Sequence, residues 1–281
     1  MNCELPPFDE WKSKKKGKLK TYSGDHLIRA NQAPINADQQ FSLSLKMVED
    51  YDQYCYTIGD EKPGMYLGKI NGSEFGDKLK FFATKNAAEP WKVDFRDTRV
   101  IRSAPVILNS DLDLGSGNDK FLINAKHFES GLRLDGKWDY SSGVGVKRPV
   151  TLSFGEGDDR LKIKSGYSSG SIGYNGAIEM GDGNDTFRFG SINKDGRTYS
   201  DLTISGDAYN PSGPKGLLLM GDGDDIIKGT SMYMQGEIDM GRGDDIIDAK
   251  MNGFGVTDFG KGADRYVVDP GNYEIQGIGR N

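Results

Sequence analysis

Cysteine is nearly absent from this chain of 281 residues: only Cys3 and Cys55 occur, too few for a disulfide framework. The two histidines, His26 and His127, have no partner spacing that would make a metal site or a catalytic triad. There is no phosphate-binding loop and no CxxC pair. No segment approaches the roughly 18 consecutive apolar residues of a membrane span, so no transmembrane segment is expected. The N-terminal "MNCELPPFDEWKSKKKGKLK" lacks the apolar stretch of a signal peptide. A working place outside the cell would therefore require another route of export. The net charge of −6 lacks the basic footprint of general nucleic-acid binding.

What the chain has in excess is glycine, 39 residues, without the Gly-X-Y period of collagen. The glycines cluster in one recurring turn. "LGSGNDKFLI" starts at Leu114, "FGEGDDRLKI" at Phe154, "MGDGNDTFRF" at Met180, "MGDGDDIIKG" at Met220 and "MGRGDDIIDA" at Met240. Marked by Gly115, Gly155, Gly181, Gly221, Gly241 and Gly260, the turns follow one another at spacings of 40, 26, 40, 20 and 19. Two spacings near 20 and two of 40 predict a unit of about 20 residues with worn turns at the midpoints. "LRLDGKWDY" around Asp135 and "LTISGDAY" around Ser205 stand at those midpoints. Fainter units upstream are read at Arg96, Gly76 and Gly59.

Apolar residues alternate on both sides of each turn. Leu112/Leu114, Leu152/Phe154, Ile178/Met180, Leu218/Met220 and Ile238/Met240 precede it, and Phe121/Ile123, Leu161/Ile163, Phe187/Phe189 and Tyr266/Val268 follow. A period of two is the signature of a strand with one buried face. Strand, turn and strand repeated at a fixed spacing predict an all-β, parallel β-helix or β-roll-like solenoid with coils of about 20 residues. Residues 1–58 are read as an N-terminal arm and capping segment, with "FSLSLKM" at Phe41–Met47 as a capping strand. Residues 59–281 form the repeat domain, with clear repeats over 112–268. Eight to eleven coils at about 4.8 Å each would make a rod roughly 40–50 Å long. A sandwich of short strands is the alternative layout.

The Gly-x-Gly-Asn/Asp-Asp-x-apolar turn resembles the glycine- and aspartate-rich nonapeptide of RTX proteins, G-G-x-G-x-D-x-U-x, over about 150 residues from Gly115 to Val268. The resemblance implies a parallel β-roll with Ca²⁺ between stacked turns. It places the ligating sixth-position aspartates at Asp119, Asp159, Asp185, Asp225, Asp245 and Asp264. The apolar eighth positions are Phe121, Leu161, Phe187, Ile227, Ile247 and Tyr266. Calcium takes six to eight oxygen ligands, which carboxylates and glycine-turn carbonyls provide. The first glycine of the nonapeptide is replaced by Leu114, Phe154, Met180, Met220, Met240 or Phe259, and the nine-residue tandem is absent. One ladder of ions is therefore expected along one edge. It would be best formed where Gly221, Gly223, Asp224, Gly241, Gly243 and Asp244 lie in contiguous turns. A second stack at Gly155 and Gly181 requires the extra residues between them to loop out. The worn turns at Asp135 and Ser205 should interrupt the ladder. Glycine–aspartate turns held by Asx hydrogen bonds, with no metal, are the alternative.

Three further features remain. "KSKKKGKLK", Lys12–Lys20, is either a solvated arm or a dock for an anionic cell-surface polysaccharide or an acidic protein. "WKVDFRDTRVIR" carries Asp94, Arg96, Asp97, Arg99 and Arg102, either a salt-bridged strand surface or the acid–base group of a calcium-dependent polysaccharide lyase or epimerase. Trp138, Tyr140, Tyr167, Tyr174, Tyr199 and Tyr209 lie in longer inter-turn segments, where they either stack on sugars or decorate loops. The resemblance implies type I export, which reads an uncleaved C-terminal signal; the short segment "VVDPGNYEIQGIGRN" follows the last turn. The expectation is a non-catalytic, calcium-binding solenoid, secreted as an extracellular structural or adhesive surface protein. A phage virion part, such as a fibre, horn or decoration protein, is the alternative, and a homo-oligomer suits either.

Overall fold

The computed structural model describes residues 22–23, 27–28, 42–48, 65–67, 70–73, 76–83, 106–108, 111–125, 130–134, 137–139, 146–165, 168–191, 201–206 and 213–267. Every regular element among them is a β-strand. Apart from one antiparallel pair, they form three parallel stacks, visited in the same order on each coil whose three sides are described.

The first stack holds β1 (Tyr22–Ser23), β3 (Ser42–Val48), β6 (Lys78–Ala83), β9 (Lys120–Ala125), β14 (Arg160–Ser165) and β17 (Thr186–Ser191). It continues through the first part of β20 (Ile226–Met234), the first part of β22 (Ile246–Gly253) and β24 (Arg265–Tyr266). The second stack holds β2 (Leu27–Ile28), β4 (Met65–Leu67), β7 (Val106–Leu108), β10 (Ser130–Leu134), β15 (Ser168–Ile172) and β18 (Leu202–Ile204). The second parts of β20 and β22 complete it, so one sheet curls around two sides of the coil. The third stack is a separate sheet: β5 (Ile70–Ser73), β8 (Leu112–Gly115), β13 (Val150–Ser153), β16 (Gly176–Glu179), β19 (Leu217–Leu219), β21 (Glu237–Asp239) and β23 (Val256–Asp258). A hairpin of β11 (Lys137–Asp139) and β12 (Val146–Arg148) stands outside the stacks.

The alternation read from the sequence is the inward face of these strands. Leu112, Leu152, Ile178, Leu218 and Ile238 pair in register and are all fully buried. Phe121, Leu161, Phe187, Ile227 and Ile247 do the same in the first stack. Each such side chain contributes about 1.5–3 kcal/mol by leaving water. Because the column repeats at every rung, the core is one continuous apolar shaft.

The repeat unit is one full coil of three strands, not a strand, a turn and a strand. In the shortest described coil, β21 and the two parts of β22 carry the chain from Glu237 to its pairing partner Val256, the first residue of β23. The spacings of 40 are also single coils. Leu132 and Leu134 are not in the stack that precedes the glycine–aspartate turns; they lie in β10, where Leu132 pairs with Val106 on one side and Gly170 on the other. Leu202 and Ile204 lie in β18, paired with Gly170 and Ile172. Ser205 is a corner between second and third stacks, its N–H donating to the Ile172 carbonyl. Asp135 lies outside the described residues. The extra length sits at corners, as in the β11–β12 hairpin between β10 and β13. Nine described rungs in the first stack span about 40 Å. Strand β3, expected near Phe41–Met47, is paired on both sides, with β1 and with β6.

Candidate functional site

All six glycine–aspartate turns lie on one corner of the coil, joining the third stack to the first. The glycines there are required by close approach. Gly241 has φ of 87°, and a Cβ on it would collide with the Gly221 carbonyl below. Stripped of side chains, the turns nest: the Arg242 N–H donates to the Gly221 carbonyl at 3.1 Å and the Lys261 N–H to the Gly241 carbonyl at 3.0 Å.

The sixth-position aspartates point inward, on the same strand face as the apolar core. Asp119, Asp159, Asp185, Asp225 and Asp245 are each fully buried. Their Oδ1 atoms form a ladder. The Asp119 N–H donates to Asp159 at 2.6 Å, Asp159 to Asp185 at 2.8 Å, Asp185 to Asp225 at 2.8 Å and Asp225 to Asp245 at 2.9 Å. Asp245 donates to half-buried Asp264 at 3.0 Å, and Asp77, one coil earlier, donates to Asp119. The expected interruptions do not occur: the ladder runs unbroken from Asp77 to Asp264, Ser205 lies at another corner, and Asp135 is outside the described residues. Gly155 and Gly181 occupy neighbouring coils of the same ladder as Gly221, Gly241 and Gly260.

A second ladder runs outside the first. Asn118, Asp158, Asn184, Asp224 and Asp244 accept the N–H of Asp158, Asn184, Asp224, Asp244 and Ala263 in turn, at 2.8–3.1 Å. The sequence reading passed over Asp77, Asn118 and Asn184. The recurring Asn/Asp at the position before the aspartate was the signal for the last two, and Phe75-Gly76-Asp77 before alternating Leu79 and Phe81 for the first. A third set of carboxylates caps the turns: Asp113, Asp239 and Asp258 accept the N–H of Gly115, Gly241 and Gly260.

The inner ladder leaves one oxygen over. Oδ2 of Asp119, Asp159, Asp185, Asp225 and Asp245 is buried with no hydrogen-bond partner. Burial raises these carboxyls, to about 7 for Asp119 and Asp185, about 8 for Asp159 and Asp225 and about 6 for Asp245. The donated amide of the neighbouring coil opposes the rise, and the adjacent carboxylates of the stack add to it. A column of orphaned carboxylate oxygens is a hard, all-oxygen donor set of the kind calcium takes. In number it is sparse: among the described residues no three His, Cys, Asp or Glu side chains group together to hold an ion. Turn carbonyls and water would have to complete the shell. The outward middle position of the turns runs Ser116, Glu156, Asp182, Asp222, Arg242 and Lys261. The C-terminal turns, expected to be the best ion stack, thus carry two cations, and Arg242 reaches Asp222 at 3.4 Å.

Lys12–Lys20, Asp94–Arg102, Cys3, Cys55, His26, His127, Gly59, Tyr140, Tyr167, Tyr199, Tyr209 and Val268 lie outside the described residues, and for Trp138 only the strand is described. Tyr174 is 41% exposed, its hydroxyl donating to the Gly206 carbonyl at 3.5 Å. No helix among the described residues is long and apolar enough to cross a membrane. Comparison with family models, curated proteins and solved structures finds no match.

Proposed function

We propose that the protein is a non-catalytic β-solenoid that works outside the cell as a rigid structural or adhesive element, stiffened by calcium along its aspartate corner. The observation that carries this reading is the unbroken inner ladder. Five fully buried carboxylates stack over consecutive coils, each with one oxygen that no protein group satisfies. Charged and unneutralised, such a column opposes folding, because like charges face each other in a medium of low dielectric. A divalent cation supplies the missing positive charge. Asp119, Asp159, Asp185, Asp225 and Asp245 would hold it through Oδ2, and the outer Asp158, Asp224 and Asp244 would draw it to the corner. Rigidity would then follow arrival in a calcium-rich medium, since an ion bound only by the folded chain adds its binding energy to stability.

The test is thermal melting followed by circular dichroism at pH 8, in EGTA and in millimolar calcium. The reading expects a higher melting temperature with calcium, and a smaller rise in Asp185→Asn/Asp225→Asn, which keeps the ladder's acceptor oxygens and removes two of its five buried charges. Equal melting temperatures with and without calcium would leave the corner as an Asx ladder alone.

A further inference from the structure

The outward face of the first stack carries a set of cations that register alone assembles. Lys78, Lys120 and Arg160 pair in one column. Lys162 pairs with Arg188, and Lys164 follows Lys162 two residues on along β14. Their inward neighbours Phe121, Ile123, Leu161, Ile163, Phe187 and Phe189 are buried, so these six side chains project to the outside. Arg160, Lys164 and Arg188 are exposed, and the other three half-buried. The remaining outward positions of β9, β14 and β17 are Leu122, Asn124, Thr186 and Gly190, so the three strands offer no acid on this face. Three ion pairs among the described residues join other cations: Lys215 with Glu237, Lys228 with Asp248 and Arg242 with Asp222. In a chain of net charge −6, a flat face with six cations and no carboxylate calls for a polyanion.

We infer that this face binds a linear acidic polysaccharide, one carrying a carboxylate on successive sugars, lying across the strands along the solenoid axis. Two dimensions select that class. Along the axis the cations recur at the strand spacing of about 4.8 Å, a step comparable to one sugar of an extended chain. Across the axis, the outward positions 160, 162 and 164 span only about 13 Å. Beyond Arg160 the surface turns into the acidic corner, where Glu156, Asp158 and Asp182 are exposed. A single polysaccharide chain fits within that width. A nucleic-acid duplex is broader and would lay its phosphates over the acidic corner. Salt bridges from exposed lysine and arginine are individually weak, so affinity comes from several at once and falls with salt.

The inference gives a partner to the adhesive half of the proposed function, and its test is kept separate from the calcium half by working in EGTA. Binding of polygalacturonate, neutral dextran and duplex DNA would be measured by titration calorimetry at low and moderate salt. Binding of polygalacturonate alone is expected, with affinity lowered by added salt. Lys162→Gln/Arg188→Gln should weaken it roughly tenfold. Lys250→Gln/Lys261→Gln, which removes the same charge away from this face, should change it less than about twofold. Independently of any variant, bound polygalacturonate should shield Lys120, Lys162 and Lys164 of the wild-type chain from an acylating reagent while Lys250 and Lys261 still react. Absence of binding, equal loss in both double variants, tighter binding of DNA or uniform acylation would overturn the inference. Binding that persists where calcium leaves the melting temperature unchanged would retire the ion and keep the face; the reverse pattern would do the opposite.

Discussion

The N–H of Asp225 donates to Oδ1 of Asp245 at 2.9 Å, one coil further on, while Oδ1 of Asp225 accepts the N–H of Asp185 from the coil before. One side chain thus satisfies the backbone of its neighbour at a corner where the strands have ended and no ladder hydrogen bond is available. The carboxylate does this at the cost of a buried charge, which an amide would not carry. Asp225→Asn should therefore keep the rung and, in EGTA at pH 8, melt at the wild-type temperature or above. Asp225→Ala leaves the Asp185 amide buried and unpaired, a cost of about 1–3 kcal/mol. Denaturant unfolding of the two variants separates the acceptor from the charge. An Asp225→Asn protein as unstable as Asp225→Ala would show that the charge itself is needed.

The nested turns tolerate no side chain on their glycines. Gly241→Ala imposes φ of 87° on a residue with a Cβ and drives that Cβ into the Gly221 carbonyl. It should cost more than about 1 kcal/mol. Gly190, in β17, is the control: nothing stands within 4 Å of a Cβ built there. Gly190→Ala should be neutral or stabilise by up to about 1 kcal/mol. Melting temperatures of the pair check this directly.

At the last described coil, Tyr266 ties β24 back to β22. Its hydroxyl donates to the Ala249 carbonyl at 2.9 Å and accepts the Met251 N–H at 3.1 Å. The second stack has no described strand beyond Met251 to pair with, so this hydroxyl takes the place of a neighbouring coil. Tyr266→Phe removes both bonds and should weaken the end of the solenoid by about 1–3 kcal/mol. Hydrogen exchange would show it as faster exchange at Met251 and its neighbours, with protection of the β14–β17 amides unchanged.

The alternating residues and the aspartate corner were legible in the sequence because both obey strict local rules. A half-buried strand alternates wherever it is, and the turn needs glycine where backbones touch. The coil length was not legible, because only one of the three corners is so constrained. At the other two the chain accommodates added residues, as between Leu134 and Val150, so a spacing of 40 reads as two coils when it is one. Leu132-x-Leu134 then looks like half of a missing turn, since any inward strand has that pattern. The same error hid the continuity of the ladder: Asp119 and Asp159 are neighbours although a whole coil of sequence separates them. The basic face was invisible for a related reason. Lys120, Arg160 and Arg188 are unremarkable singly, and only the register of β9, β14 and β17 sets them side by side.

The inner ladder also fixes how stability depends on pH. Asp119, Asp159, Asp185, Asp225 and Asp245 have folded pKa values of about 7, 8, 7, 8 and 6, raised by burial above an ordinary value of 3.8. The folded chain therefore binds more protons than the unfolded one between roughly pH 4 and pH 8. With the folded values raised, their contribution is full below pH 4 and is lost as pH rises through 6 to 8. In EGTA the urea midpoint should fall over that interval, each group contributing a slope of up to about 1.4 kcal/mol per pH unit where only its folded form is protonated. The five titrate as a coupled set, so the fall should be broad rather than stepped. Millimolar calcium, if it occupies the corner, replaces the protons as the neutralising charge, and the curve should flatten with the gain largest near pH 8. Asp159→Asn/Asp225→Asn should flatten it without calcium. A midpoint that rises from pH 5 to pH 8 in EGTA would mean that these carboxylates are stabilised as anions by groups beyond the ladder, and would contradict the reading of the corner as an unneutralised column.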